Sequence, residues 1–139
     1  MIPTGFEPHT RRSPVTDAWQ PLLARISDDA VELGVVIAEP HCNGRGFVHG
    51  GVVAALTDNA MGLSVVQEAR RRSGPQAAAI SAVTVGLAVD YLANGKVGQW
   101  LQISPRLLKV GKSLGFVDAI VTADGEPIAR ANATFRLIA

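Results

Sequence analysis

The sequence predicts an α+β fold in which one curved antiparallel sheet wraps around a single long helix. The stretch from about Gly51 to Arg71 has no turn residue except Gly62 and is too long for one strand, so it predicts the helix. Four later segments have strand composition, are separated by turn residues, and span residues 82–92, 99–110, 113–124 and 127–139. With a further strand predicted at Ala30–Glu39, a strand, a helix and a run of strands follow one another, which is typical of an α+β domain.

Length and composition indicate one domain with a sizeable core. The chain has 139 residues, of which 47% are hydrophobic and 18% are charged, and its formal net charge is +1. Because no strong overall charge would attract nucleic acid or an anionic membrane, neither is expected as a partner. Cys42 is the only cysteine, and no segment offers the ~18 apolar residues of a membrane span, which favours a soluble protein in the reducing cytoplasm.

The N-terminal part of the chain is predicted to be loosely held. Residues 1–16 contain three prolines and a glycine with few periodic apolar positions, which indicates a flexible arm before a single domain at residues 17–139. The segment Asp17–Ile26 predicts a short helix with Pro21 near its first turn.

The predicted central helix is apolar around its whole circumference. Its apolar residues form no single stripe, and they are Val52, Val53, Ala54, Ala55, Leu56, Met61, Leu63, Val65 and Val66. A helix that is apolar on all sides is buried on all sides, and a sheet on one side cannot cover it alone. A second subunit is therefore expected to cover the rest.

Turn residues and alternating faces define the strands further. Three pairs are of the kind that supplies positive φ in hairpins, namely Asn94-Gly95, Gly111-Lys112 and Asp124-Gly125. In the last strand one face carries Ala129, Ala131, Ala133, Phe135 and Leu137, and the other carries Arg130, Asn132, Thr134 and Arg136. This period of two predicts one dry face and one wet face.

The strongest candidate site is a glycine-rich corner followed by an isolated carboxylate. His49-Gly50-Gly51 precedes the helix, whose free N–H groups and positive dipole end suit an anion or an oxyanion. Asp58 lies about two turns further on, and a carboxylate among apolar residues suits a general base or a nucleophile. Simpler interpretations stay open, with Asp58 as a satisfied polar residue and His49 as a residue that only fixes the loop. A metal site at His41, Cys42 and His49 is disfavoured, since first-row metals need three or four convergent ligands with ordered spacing.

These residues form a recognisable set. Asn43, the His49-Gly50-Gly51 corner and the run Leu56-Thr57-Asp58-Asn59 resemble the signature of hotdog-fold acyl-CoA thioesterases of the phenylacetate-pathway type. The resemblance extends from about residue 30 through the final strand. It implies the hotdog fold, a curved antiparallel sheet around one long helix, paired into dimers and commonly tetramers, which agrees with the second subunit expected above.

The resemblance implies roles for five residues. Gly50 would donate its N–H to the thioester carbonyl, Asn43 would orient the carbonyl or the attacking water, and His49 would shape that corner. Asp58, reaching the site from the other subunit, would be the nucleophile or the general base. Thr84 stands where the family more often has a serine, and this hydroxyl would assist the water.

Four more residues complete the predicted substrate site. Gly51 and Asn59 adjoin the groups named above. The strand connection at residues 109–115 also resembles that of the family, and this resemblance implies that Lys109 and Lys112 meet the phosphates of coenzyme A, with solvated charges as the alternative. The predicted activity is hydrolysis of an acyl-CoA to free acid and CoA, with no metal or other cofactor. Two alternatives stay open, a hotdog hydratase or dehydratase and a non-catalytic acyl-CoA-binding module, and the acyl group is either aryl or short to medium in chain length.

Overall fold

A 24-residue helix and a seven-stranded sheet make up most of the molecule. The computed structural model describes residues 1–75 and 77–139 in full. The strands are β1 (Glu7–Pro8), β2 (Leu23–Ile26), β3 (Val31–Val36), β4 (Ser81–Tyr91), β5 (Trp100–Val110), β6 (Leu114–Ala123) and β7 (Glu126–Ile138), and the helices are α1 (Pro14–Asp17) and α2 (Gly50–Ser73). Within these described parts, no helix is both long enough and apolar enough to cross a membrane.

The sheet is antiparallel throughout and wraps around α2. Its strand order is β1-β2-β3-β5-β6-β7-β4, so β1 and β4 form the two edges. The core lies between the inner face of the sheet and α2, and its fully buried side chains include Leu33, Leu56, Met61, Leu101 and Ile103. This arrangement confirms the predicted α+β hotdog architecture.

The strongest sequence patterns are confirmed at nearly the expected boundaries. Helix α2 begins one residue before the predicted start and ends two residues after the predicted end. The four predicted later strands correspond to β4, β5, β6 and β7, and the first predicted strand corresponds to β3. In β7 the alanines and Phe135 of the predicted dry face are buried, whereas Arg130, Asn132 and Arg136 are exposed.

The helix predicted at Asp17–Ile26 is wrong. Helix α1 ends at Asp17, and Leu23–Ile26 forms β2 instead. Leu22 and Ala24 are buried while Arg25 is only partly buried, so the segment alternates with the period of a strand. A turn closed by the Ser27 N–H and the Ala30 carbonyl then pairs β2 with β3, and this hairpin prevails over the helical pattern.

The turn predictions have mixed outcomes. Asp124 and Gly125 have φ values of 48° and 84° between β6 and β7, as expected of a hairpin. Gly111-Lys112 joins the paired strands β5 and β6 but is not among the positive-φ residues. Asn94-Gly95 is no hairpin turn, because β4 and β5 lie apart in the sheet, and positive φ in this connection falls on Gly98.

The N-terminal arm contacts the domain at several points. Glu7 and Pro8 form β1 against β2, and the Phe6 ring meets the edge of Trp100 at a centroid distance of 5.0 Å. The Arg25 guanidinium lies 4.7 Å from the centre of the Phe6 ring and donates to the Thr4 carbonyl at 3.0 Å. The division at residue 16 stays a prediction, although these contacts tie the arm to the sheet.

Helix α2 is buried on the side that faces the sheet and only partly buried on the other. Val53, Leu56, Met61 and Val65 face the core and are at most 1% exposed. Ala54, Ala55, Asn59, Leu63 and Val66 are only partly buried in the single chain. This side of α2 is therefore a surface on which the predicted second subunit could pack.

Candidate active site

The start of α2 is built by a short loop that folds back on itself. Cys42 pairs with Val48 across this loop, and the His49 N–H donates to the His41 carbonyl at 2.8 Å. His49 is the N-cap of α2, and its Nδ1 accepts from the Gly51 N–H at 2.8 Å. The predicted loop-fixing role of His49 is thus present, whatever else its exposed ring does.

Gly50 is the first helical residue and carries the free amide of this corner. Among the hydrogen bonds of the described residues, none uses the Gly50 N–H. An unpaired N–H at the first turn lies at the positive end of the helix dipole. It can therefore donate to a carbonyl oxygen that gains negative charge during a reaction.

Asn43 holds the loop with one end of its side chain. Its Oδ1 accepts from the N–H groups of Arg45 at 2.9 Å and Phe47 at 3.3 Å. No hydrogen bond among the described residues uses its Nδ2 group, so this end remains able to donate to a substrate or a water.

His41 and Cys42 act within the fold. His41 is 3% exposed, its Nδ1 accepts from the Ala38 N–H at 2.9 Å, and its Nε2 lies 3.2 Å from the Trp19 carbonyl oxygen. The Cys42 thiol donates to the Ala38 carbonyl, and burial, together with the nearby charge of Glu39, raises the pKa of this thiol. Across the described residues no three His, Cys, Asp or Glu side chains converge in a way that would hold a metal ion.

Asp58 and Thr84 form the second part of the site. The Thr84 hydroxyl, on the inner face of β4, donates to Asp58 Oδ1 at 2.7 Å. Both residues, together with Asn59, line a cavity of about 180 Å³ whose apolar wall includes Leu63 and Phe135. The structure thus brings three of the predicted site residues together around one open space.

The two parts of the site are separated within one chain. Asp58 lies eight positions after Gly50 along α2, which corresponds to about 12 Å along the helix axis. The Gly50 N–H also points toward the helix N-terminus and away from Asp58. One chain therefore does not present both groups to a single carbonyl.

The two predicted CoA-binding lysines lie near the other end of α2. Lys112 lines a cavity of about 440 Å³ beside Arg72 and Ser73, and Lys109 lines a separate groove beside Glu68 and Arg72. Because α2 is 24 residues and so about 36 Å long, neither lysine approaches the Gly50 of its own chain. A role for them in CoA binding stays a prediction.

Two residues at the site were not predicted from the sequence. Tyr91 ends β4, donates its hydroxyl to the Gly50 carbonyl and packs its ring over Gly50. Burial raises the pKa of this phenol, so it stays a donor at neutral pH. Arg11, from the N-terminal arm, lines the Asp58 cavity. The alternation of β4 could have placed Tyr91 on the inner face of the sheet, whereas no local sequence pattern marks Arg11.

Comparison with known proteins identifies the family. A family model described as the thioesterase superfamily matches residues 45–129, from the loop before α2 into β7. The chain belongs to the thioesterase superfamily. This confirms the family resemblance found in the sequence.

Individual proteins match over longer stretches. A Pseudomonas aeruginosa protein classed as an esterase is 35% identical over 98% of this chain and 97% of its own length. Human acyl-coenzyme A thioesterase 13 is 32% identical over 73% of this chain and 68% of its own. A crystal structure from Streptococcus mutans, bound to acetyl-CoA, superimposes with a TM-score of 0.74 at 25% identity and covers 94% of each chain.

Proposed function

We propose that this thioesterase hydrolyses acyl-CoA thioesters to the free acid and CoA by carboxylate-assisted chemistry that needs no metal or other cofactor. The observation that carries the proposal is the placement of Asp58, which is held by the Thr84 hydroxyl at 2.7 Å beside an open cavity. The acyl-CoA substrate is supported by the human relative, which is named an acyl-coenzyme A thioesterase, and by the Streptococcus mutans structure with acetyl-CoA.

In the proposed reaction the two parts of the site act on opposite sides of the thioester carbonyl. The Gly50 N–H donates to the carbonyl oxygen, and the helix dipole favours the negative charge that develops there. Asp58 takes a proton from a water molecule, whose oxygen attacks the carbonyl carbon while Thr84 holds the carboxylate in place. The carbon–sulfur bond then breaks, and CoA leaves as a thiolate that is protonated by solvent.

A covalent route uses the same residues. Asp58 attacks the carbonyl carbon directly and forms a mixed anhydride as CoA leaves, and water then attacks the Asp58 carbonyl carbon of the anhydride, so that the water oxygen stays in Asp58 and the free acid is released. Hydrolysis in water enriched in oxygen-18 separates the two routes, because under single-turnover conditions only the covalent route leaves one oxygen-18 atom in Asp58.

A dimer would supply both halves of each site. Edge strand β4 is eleven residues long, and its inner-face residues Leu87 and Tyr91 are 40% and 52% exposed in the single chain. A long apolar edge strand is a ready template for pairing with another chain. Pairing of two β4 strands would cover the partly buried side of α2 and bring Asp58 of one protomer toward Gly50 of its partner. Further pairing into tetramers is part of the same proposal.

The deciding experiment measures CoA thiol release from a panel of aryl, short-chain and medium-chain acyl-CoAs. We expect wild type to hydrolyse at least one member and Asp58→Asn to lose about a hundredfold or more, the scale of a lost acid or base group. Asp90→Asn is the matched control, because Asp90 is an exposed aspartate on the other face of β4 that pairs with Arg130. Equal rates for wild type and Asp58→Asn would overturn the role of Asp58.

Two further arms of this experiment test the rest of the proposal. Activity that survives dialysis against a chelator supports metal-free chemistry, and activity restored only by added metal contradicts it. Loss of enoyl-CoA absorbance without thiol release would instead identify a hydratase.

The proposed location is the cytoplasm, which suits the single free thiol of Cys42.

A further inference from the structure

The N-terminal arm reaches from one edge of the sheet to the Asp58 cavity near the other edge. Its residues Glu7 and Pro8 pair with β2, and the His9 N–H donates to the Leu22 carbonyl at 2.9 Å. Arg12 forms an ion pair with Asp17 at 2.9 Å. Arg11 lies between these fixed points, so its position does not depend on a free tail.

Among the described residues, Arg11 is the cation of the cavity for which no hydrogen-bond or ion-pair partner is found. The cavity is lined by Arg11 and Arg70 as well as by Asp58. The Arg70 guanidinium donates to the Ile80 carbonyl at 2.9 and 3.2 Å. Among the described residues the Arg11 side chain makes no hydrogen bond and no ion pair within 4.0 Å. Two cations and one carboxylate leave the cavity with an excess of positive charge.

We infer that Arg11 is a specificity-determining residue that binds a carboxylate at the far end of the acyl group. The inference rests on the proposed hydrolysis, in which Asp58 must lie at the thioester carbonyl. Arg11 lines the same cavity as Asp58 and the apolar wall, so an acyl group whose thioester lies at Asp58 and that fills the cavity can bring its far end to Arg11. Guanidinium groups bind carboxylates through paired, charge-assisted hydrogen bonds.

The size of the cavity suits a short acyl group. Its volume of about 180 Å³ is close to that of an apolar cavity of about 150 Å³ known to hold benzene. The acyl part of a four-carbon diacid thioester fits such a space. The substrate class that satisfies both size and charge is a short acyl-CoA that ends in a carboxylate.

The first test compares two non-hydrolysable thioethers, S-(3-carboxypropyl)-CoA and S-butyl-CoA, which differ only in the terminal carboxylate. We expect wild type to bind the carboxylate compound at least tenfold more tightly in calorimetry, because charge-assisted pairs are the stronger hydrogen bonds. Arg11→Gln should remove this preference and leave the affinity for S-butyl-CoA within about twofold. Arg12→Gln is the matched control, since its neighbouring guanidinium pairs with Asp17 instead of lining the cavity.

Other outcomes overturn the inference. An equal loss of affinity for both compounds in Arg11→Gln would mean that Arg11 contacts a part they share, such as the CoA phosphates. Unchanged affinities would mean that Arg11 contacts neither compound.

A hydrolysis assay separates this inference from the proposed function. Thiol release from succinyl-CoA and butyryl-CoA is measured with the spontaneous rate subtracted. Carboxylate-selective binding without any thiol release would support the role of Arg11 and count against hydrolysis. Thiol release with equal preference for both substrates would support hydrolysis and count against the role of Arg11.

Discussion

Gly50 shows how one backbone group can be tested apart from its side chain. It is the first residue of α2, where proline is tolerated because the N–H there has no helical partner and φ is already near −65°. The preceding residue, His49, has φ −67° and ψ 134°, which suits a residue before proline. Gly50→Pro therefore removes the N–H and preserves the helix.

We expect Gly50→Pro to lower kcat by about 10²- to 10³-fold, the usual effect of removing one oxyanion donor. Gly50→Ala is the control, since it keeps the N–H and adds a Cβ only 3.3 Å from the Tyr91 ring. Steady-state kinetics on the best acyl-CoA, with thermal unfolding to check the fold, measures the difference. If both variants lose activity equally, crowding against Tyr91 and not the lost N–H explains the effect.

Site residues that are marked by their type and by their spacing in the sequence could be predicted. Residues that reach the site through contacts between distant parts of the chain could not. Asp58, Asn59 and Thr84 were assigned from residue type and spacing, and they do line one cavity. Tyr91 contacts Gly50 across 41 positions of the chain, and Arg11 lines the same cavity as Asp58 from 47 positions away. Those placements depend on the curvature of the sheet and the path of the arm, which leave no local pattern in the sequence.

At the scale of elements, Ser64 joins α2 to β3. Its side chain is fully buried, accepts from the Val31 N–H at 2.9 Å and donates to the Ala60 carbonyl at 2.8 Å. We expect Ser64→Ala to lower the free energy of unfolding by about 1–3 kcal/mol, because the Val31 N–H would be left buried without a partner. Urea unfolding measures this change.

Ser73→Ala provides the comparison for this prediction. Ser73 makes the same kind of bond, to the Ala69 carbonyl at 2.7 Å, but lies at the exposed end of α2. Its loss should cost clearly less, since water can satisfy the Ala69 carbonyl. If both variants cost the same, the bond to β3 contributes nothing beyond the helix.

The arm adds a pH-dependent contact. His9 Nε2 is shielded from solvent without a hydrogen-bond partner, and burial, together with the charge of Arg11, lowers the pKa of His9 below its ordinary 6.5. Below pH 6.5 the unfolded chain therefore takes up a proton that the folded chain resists, so stability should fall as the pH drops. Urea unfolding at pH 7.5 and 5.5 should show a smaller decrease in His9→Gln than in wild type, and equal decreases would contradict this.

Elements with one dominant pattern were predictable, and elements chosen by pairing were not. The length of α2 and the alternation of β7 follow from patterns in consecutive residues. The segment Leu23–Ile26 carries weak patterns of both kinds, and its pairing with β3 decides for the strand. The crossing from β4 to β5 likewise follows from sheet order, which a turn pair such as Asn94-Gly95 does not encode.

One side of the molecule carries the exposed features that an active site shared between two chains would require. Edge strand β4 carries Thr84 at the cavity and Tyr91 at the corner of α2, so one strand contacts both halves of the site. Because Gly50 and Asp58 of one chain are separated by about 12 Å along the helix axis, the proposed site combines Gly50 of one protomer with Asp58 of its partner. Two chains then make two equivalent sites.

This arrangement predicts that two inactive variants restore each other. In a mixed dimer of Asp58→Asn and Gly50→Pro, one site has both substitutions and the other has neither. Dimers co-expressed with two different tags and purified through both should therefore recover about half of wild-type activity, because one of two symmetric sites is intact. A site confined to one chain would leave the mixed dimer as inactive as its parents, and monomeric behaviour in sedimentation would exclude the shared site outright.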